Sequence, residues 1–162
     1  MAKIVTKIGD MFSVECDAQN KKYFQYVAND LSMLNSDGIR VFKTSYSAVE
    51  QPDPKKIVAD AVEFHAHVVI KWGVEMGLWH KVGHCGDIGR QDVFFRDSGD
   101  YGNPEILVSH NWWVWKVNEE HVHVGALVGD HQKAEIGIVV SPLDVVHRIR
   151  TGKYDFVYPS YE

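Results

Sequence analysis

Two short stretches place a pair of imidazoles on one face of an extended chain: His65 and His67 in "VEFHAHVVI", and His121 and His123 in "HVHVGALV". Two residues on one strand face, two positions apart, are two potential ligands of a zinc ion. A third from His80, His84, His110 or His131 would complete a site with an open position, suited to a small molecule or a hydrolytic water. The plainer reading is that half-buried strands carry polar residues on their outward face, leaving Phe64, Ala66, Val122 and Val124 to face a core. Histidines so placed make a surface sensitive to pH near neutrality.

The other chemistry-bearing residues form no constellation. Cys85 follows His84, yet neighbours in sequence need not face each other, and no third orienting group is identifiable. The segment "VGHCGDIG" has neither a dinucleotide-binding nor a P-loop pattern, and it precedes a strand rather than a helix whose N-terminus would receive phosphate. Asp97, Asp100 and Asn103 fall at three-residue intervals, which misses the alternating oxygens of a calcium loop and fits a turn. Neither G-x-S-x-G nor H-E-x-x-H occurs. The sequence therefore assigns no catalytic residue, no metal and no cofactor.

The stretch "SHNWWVWKV" holds three of the five tryptophans. Strand alternation turns Trp113 and Trp115 inward with Asn111 and Val117, and turns Trp112 the other way with His110, Val114 and Lys116. Trp112 is then either covered by a helix over 142–151 or exposed as the anchor of a partner. The candidate partner-binding patch is His110, Trp112, His121 and His123.

These residues must be positioned mostly by strands. "FSVEC" and "KYFQYVA" flank the turn "DAQNK" and predict a hairpin; "GIRVFKTSY" follows, entered through a turn at Asp37-Gly38. In "VEFHAHVVI" the alternation sets Val62, Phe64, Ala66, Val68 and Ile70 inward and Glu63, His65, His67 and Lys71 outward. Further strands are read at "LWHKV", "DVFFR", "EILVS", "NWWVWKV", "HVHVGALV" and "AEIGIVV". Asp53 and Pro54 open a short helix over 54–60. Ser141 as N-cap, Pro142, Asp144 at N3 and Gly152 as terminator bracket a second helix with an apolar stripe of Leu143, Val146 and Ile149. The fold class is α+β, mostly antiparallel: a strongly bent sheet or partly open barrel of about eight strands, with one C-terminal helix and one short helix.

Bulk properties bound the partners. A chain of 162 residues, 45% hydrophobic and 24% charged, fits one domain over 1–162 with a single core. With a net charge of −5 and seventeen scattered Lys and Arg, it is not built to concentrate a nucleic acid, and a basic partner is the better match. Two cysteines in unrelated contexts, and an N-terminus without an apolar signal core, point to free thiols in the cytoplasm. The longest apolar run, "IGIVV", is too short for a membrane span.

The opening "KIGDMFSVECDAQNKKYFQYV" followed by "IRVF", the segment "GLWHKVG", and the end "AEIGIVVSPLDVVHRIRTGKYDF" resemble the bacterial immunity protein 26 family. The likeness covers about half the chain in the family's order, and the middle, including "VEFHAHVVI" and "SHNWWVWKV", lies outside it. The resemblance implies a cytoplasmic protein that binds and neutralises a cognate toxin domain, such as a basic nuclease, without catalysing a reaction. It assigns no binding residues. The second expectation, of another class, is a small-molecule or metal-binding domain, with hydrolysis as one use, built on the pairs 65/67 and 121/123.

Overall fold

The computed structural model describes residues 3–162, which form two sheets, three α-helices and one 3-10 turn. The first sheet comprises β1 (Asp10–Glu15), β2 (Asn20–Asp30), β3 (Ser36–Phe42), β4 (Tyr46–Ser47), β5 (Val62–Val68) and β6 (Trp79–His84). Its order is β5-β3-β2-β1-β6, with β4 on β2, and every pairing is antiparallel. The second sheet contains β7 (Phe95–Ser98), β8 (Trp112–Trp115), β9 (Val122–Gly125) and β10 (Glu135–Ile136), in the order β10-β7-β8-β9. Only β10 and β7 run parallel. The helices are α1 (Pro54–Val58), α2 (Ile70–Glu75) and α3 (Pro142–Thr151). The α+β class, mostly antiparallel with a C-terminal helix, is as expected; the strands divide between two sheets, and no closed barrel forms.

Alternation builds the main core. Phe12, Val14, Phe24, Ile39, Val41, Phe64, Ala66 and Val68 project from one face of the first sheet against Val145, Val146 and Ile149 of α3. The α3 punctuation is as read from the sequence. Ser141 and Asp144 make a reciprocal capping box, Pro142 sits in the first turn, and Gly152 closes the helix at φ +88°. The buried stripe is Pro142, Val145, Val146 and Ile149, whereas Leu143 is exposed. Spacings of three and four from Pro142 select that stripe better than one begun at Leu143.

The opposite face of the first sheet carries Gln25, Arg40, His65 and His67, and it does not face solvent throughout. Phe95 and Trp115 of the second sheet pack against His67, while α1 contributes Ile57 to a smaller cluster with Met11, Tyr23 and Phe42. A face expected to be outward is therefore an inter-sheet face, and His67 is fully buried.

Three local expectations are corrected. The β2–β3 hairpin turns over 31–35, with Leu34 and Asn35 at φ +57° and +56°, while Asp37 and Gly38 lie within β3 opposite Asn29 and Ala28. Strand pairing overrides the turn preference of that dipeptide. Ile70 begins α2 rather than continuing β5, and Gly73 there lies so close to the Trp79 indole that a Cβ could not fit. "EILVS" forms no strand; its only ladder contact is a single bridge from Val108 to Ser160.

Candidate functional site

In β8 the two faces are covered by different things. Trp112 and Val114 point toward Leu127 and the C-terminal Tyr158 and Tyr161. Trp112 is completely buried, with its Nε1 donating to the Ser109 carbonyl at 2.8 Å. It is neither an exposed anchor nor covered by α3, which corrects both readings of this residue. Trp113 and Trp115 share the other face, but the first sheet covers only the Trp115 end. Trp115 is buried, and Trp113 remains 39% exposed, contrary to its expected place in the core. The exposed aromatic of this segment is thus one residue along from the one suspected.

Asp30, at the end of β2, fastens the two sheets together. Its Oδ2 accepts from His67 Nε2 at 2.9 Å and Trp115 Nε1 at 3.1 Å. Its Oδ1 accepts from the Ser32 hydroxyl at 2.6 Å and from the backbone N–H groups of Ser32 and Asn118, both at 3.0 Å. Burial pushes this carboxyl up, but the hydrogen bonds from His67, Ser32, Asn118 and Trp115 outweigh it and hold the pKa well below the usual carboxylate range. The charge is buried and each oxygen is satisfied, the condition under which a desolvated carboxylate is tolerated.

Ser32 Oγ also lies 3.1 Å from His121 Nε2, so a serine, a histidine and an aspartate meet here. Their order is wrong for a nucleophilic triad, in which the histidine stands between the other two. Ser32 stands in the middle and donates to Asp30, so His121 is the donor to Ser32 and has no means of removing its proton. The His121 ring stacks on the Trp115 indole, with centroids 3.8 Å apart and planes at 10°. Burial, opposed by the charges of Asp30 and Asp97, lowers its pKa. The arrangement is a brace that holds the 31–35 hairpin tip to the β8–β9 turn. Asn118, at φ +63°, completes it: Oδ1 accepts from the Leu31 N–H at 2.7 Å and Nδ2 donates to the Asn29 carbonyl at 3.0 Å.

The four residues proposed from sequence therefore separate. His123 is exposed beside Trp113, with ring centroids 4.9 Å apart and Nε2 2.7 Å from Asn111 Oδ1. His110 is exposed on the approach to β8, His121 is half-buried in the brace, and Trp112 is interior. The histidine pairs are likewise divided. His67 and His121 flank the Trp115 ring, His123 turns to Trp113, and His65 lies against the second sheet with its pKa lowered to about 4 by burial and by Arg40 and Arg90. Among the described residues, no group of three His, Cys, Asp or Glu side chains is placed to hold a metal ion.

His84, which the sequence offers no reason to pair with Cys85, is engaged elsewhere. His84 Nδ1 engages the buried Asp10 at 3.0 Å, and Asp10 in turn meets Lys81 Nζ at 3.1 Å and accepts from the Lys7 N–H at 2.9 Å. Gly9 stands at φ +103°, and a Cβ there would lie 2.5 Å from the His84 ring and 2.8 Å from the Cys85 carbonyl. The "KIGD" run is thus a structural knot. Among the described residues, no helix is long and apolar enough to cross a membrane.

The brace presents a surface. Leu31 and Leu34 at the hairpin tip are 72% and 81% exposed, and Glu119 and Glu120 are exposed in the turn that Asn118 ties to that hairpin. The same face continues through His121 to His123 and Trp113. Comparison with protein-family models gives no match, and neither the curated proteins nor the solved structures contain a chain detectably similar to this one.

Proposed function

We propose that this chain is a non-catalytic protein-binding domain, an immunity protein that neutralises a bacterial toxin domain in the cytoplasm. The observation that carries the reading is the surface just described: an exposed tryptophan and two exposed leucines on segments locked by the Asp30 brace, with Glu119 and Glu120 at its rim.

Each part has a physical reason. Tryptophan gives the largest gain per residue when a partner buries it, and interface energy concentrates in a few such anchors. Apolar side chains held in place before binding lose less conformational freedom on docking. The two glutamates, on a chain of net charge −5, suit a basic partner and speed its approach. The sequence resemblance to the immunity protein 26 family points the same way.

The test is co-expression with the C-terminal domain of a polymorphic toxin encoded beside this gene. Growth restored by the wild-type chain, and lost on Trp113→Ala with the variant still folded, supports the proposal. Unrelieved toxicity, or a gene with no toxin beside it, overturns it.

A further inference from the structure

A cleft of about 390 Å³ opens between β10, the end of α3 and the C-terminal tail, and shares no lining residue with the proposed docking face. Four cations line it, Arg96, Lys133, Arg148 and Lys153, against a single carboxylate, Glu135. Arg148 lies 3.5 Å from Glu135 and balances it. Arg96, Lys133 and Lys153 are left as a local excess of positive charge on an acidic protein. Lys133 is only 4.0 Å from Asp130 at a site where both side chains are largely in water, which does little to offset it.

Both guanidinium groups lie against rings, and Arg96 has no acid partner among the described residues. Arg96 lies 5.5 Å from the centroids of both Trp112 and Tyr161, and Arg148 lies 4.0 Å from Phe64 and 4.8 Å from Tyr154. Aromatic faces fix a cation in place without cancelling its charge. Arg96 Nη1 donates to the Ala134 carbonyl at 2.9 Å, while its Nε is buried with no acceptor among the described residues. The Tyr154 hydroxyl is also buried without a hydrogen bond of ordinary geometry, beside the Arg148 guanidinium. Buried donors without acceptors are uncommon in a folded protein. A larger cleft of about 760 Å³ shares Lys133 and Glu135, but there Asp92, Asp130 and Glu135 offset most of the basic charge, and Arg90 is paired with Asp92 at 2.9 Å.

We propose that the smaller cleft binds a small organic anion, a carboxylate or phosphate group carried on a planar ring. The acid group meets Arg96, Lys133 and Lys153. The ring lies along Tyr154, Phe156 and Tyr158, of which Tyr154 and Phe156 are already stacked 4.8 Å apart. The volume falls in the range of ordinary small-ligand sites.

Thermal melting with phenyl phosphate, benzoate, inorganic phosphate and neutral benzyl alcohol tests this site separately from toxin binding. Phenyl phosphate or benzoate is expected to raise the midpoint, inorganic phosphate less, and benzyl alcohol not at all. Which of the first two acts more strongly identifies the preferred acid group. The double variant Lys133→Glu with Lys153→Glu should weaken binding by at least about tenfold, equivalent to about 1.4 kcal/mol. Lys71→Glu, exposed on α2, should leave it unchanged. No shift with either ring acid, an equal shift with benzyl alcohol, or equal weakening by Lys71→Glu would each overturn the proposal.

Discussion

Replacing Asp30 by Asn removes one charge from a site built to receive five hydrogen bonds, and the consequence follows atom by atom. The Asn oxygen can still accept from the Ser32 hydroxyl and from the N–H groups of Ser32 and Asn118. The new amide nitrogen, however, faces two donors, His67 Nε2–H and Trp115 Nε1–H. His67 can move its proton to Nδ1 and accept instead, but Nδ1 is buried without a partner, so the N–H is stranded there; the Trp115 indole cannot switch at all. Two buried donors are stranded at about 1–3 kcal/mol each, and the remaining bonds lose their charge assistance, so the total loss is at least about 3 kcal/mol. Urea denaturation at neutral pH measures it.

The pH profile adds a second reading. Because the folded-state pKa of Asp30 is depressed, its stabilisation is complete above the unfolded value of about 4 and declines as pH falls toward the folded value. The gap between wild type and Asp30→Asn should therefore narrow below about pH 4, by up to about 1.4 kcal/mol per pH unit. A loss under about 1 kcal/mol, or a gap constant from neutrality to about pH 3, would refute the description of Asp30 as the charged fastener between the sheets.

Trp112→Ala should cost about 3–5 kcal/mol in the same denaturation assay because it empties an interior site, whereas Trp113→Ala, at a side chain 39% exposed, should cost about 1–2 kcal/mol. The reverse order would restore the phase expected from alternation. Ser141→Ala removes the oxygen that accepts the Asp144 N–H and should lower stability by about 1 kcal/mol, with a matching drop in thermal midpoint.

The parts of the fold visible in the sequence are those where one local rule acts alone. In the β1–β2 hairpin alternation sends Phe12, Val14 and Phe24 to the main core and Met11 and Tyr23 to the smaller cluster, and α3 carries its own punctuation at both ends. Where two layers compete, the pattern misleads. Alternation labels one face of β5 and one of β8 as outward, but both strands are covered on both sides at the level of His67 and Trp115, so a polar or aromatic outward residue is not a surface residue. The Asp30–His67 contact spans 37 positions, and no spacing rule marks such a pair in advance. Of the suspected patch, His123 and the brace residue His121 lie on the candidate face, and its exposed aromatic is Trp113. Leu31 and Leu34 join them only because the hairpin turns at 31–35 and not at Asp37-Gly38.

The central claim is that the face around Trp113 is a preformed docking surface for a basic protein. Calorimetric titration of the adjacent-gene toxin domain into wild type, Trp113→Ala and Glu119→Lys with Glu120→Lys measures it most directly. The account predicts at least about a thirtyfold loss of affinity for Trp113→Ala, equivalent to about 2 kcal/mol. For the double charge reversal it predicts weaker binding, with a deficit that grows at low salt. Binding at wild-type affinity by both variants, with their folds intact, would contradict it.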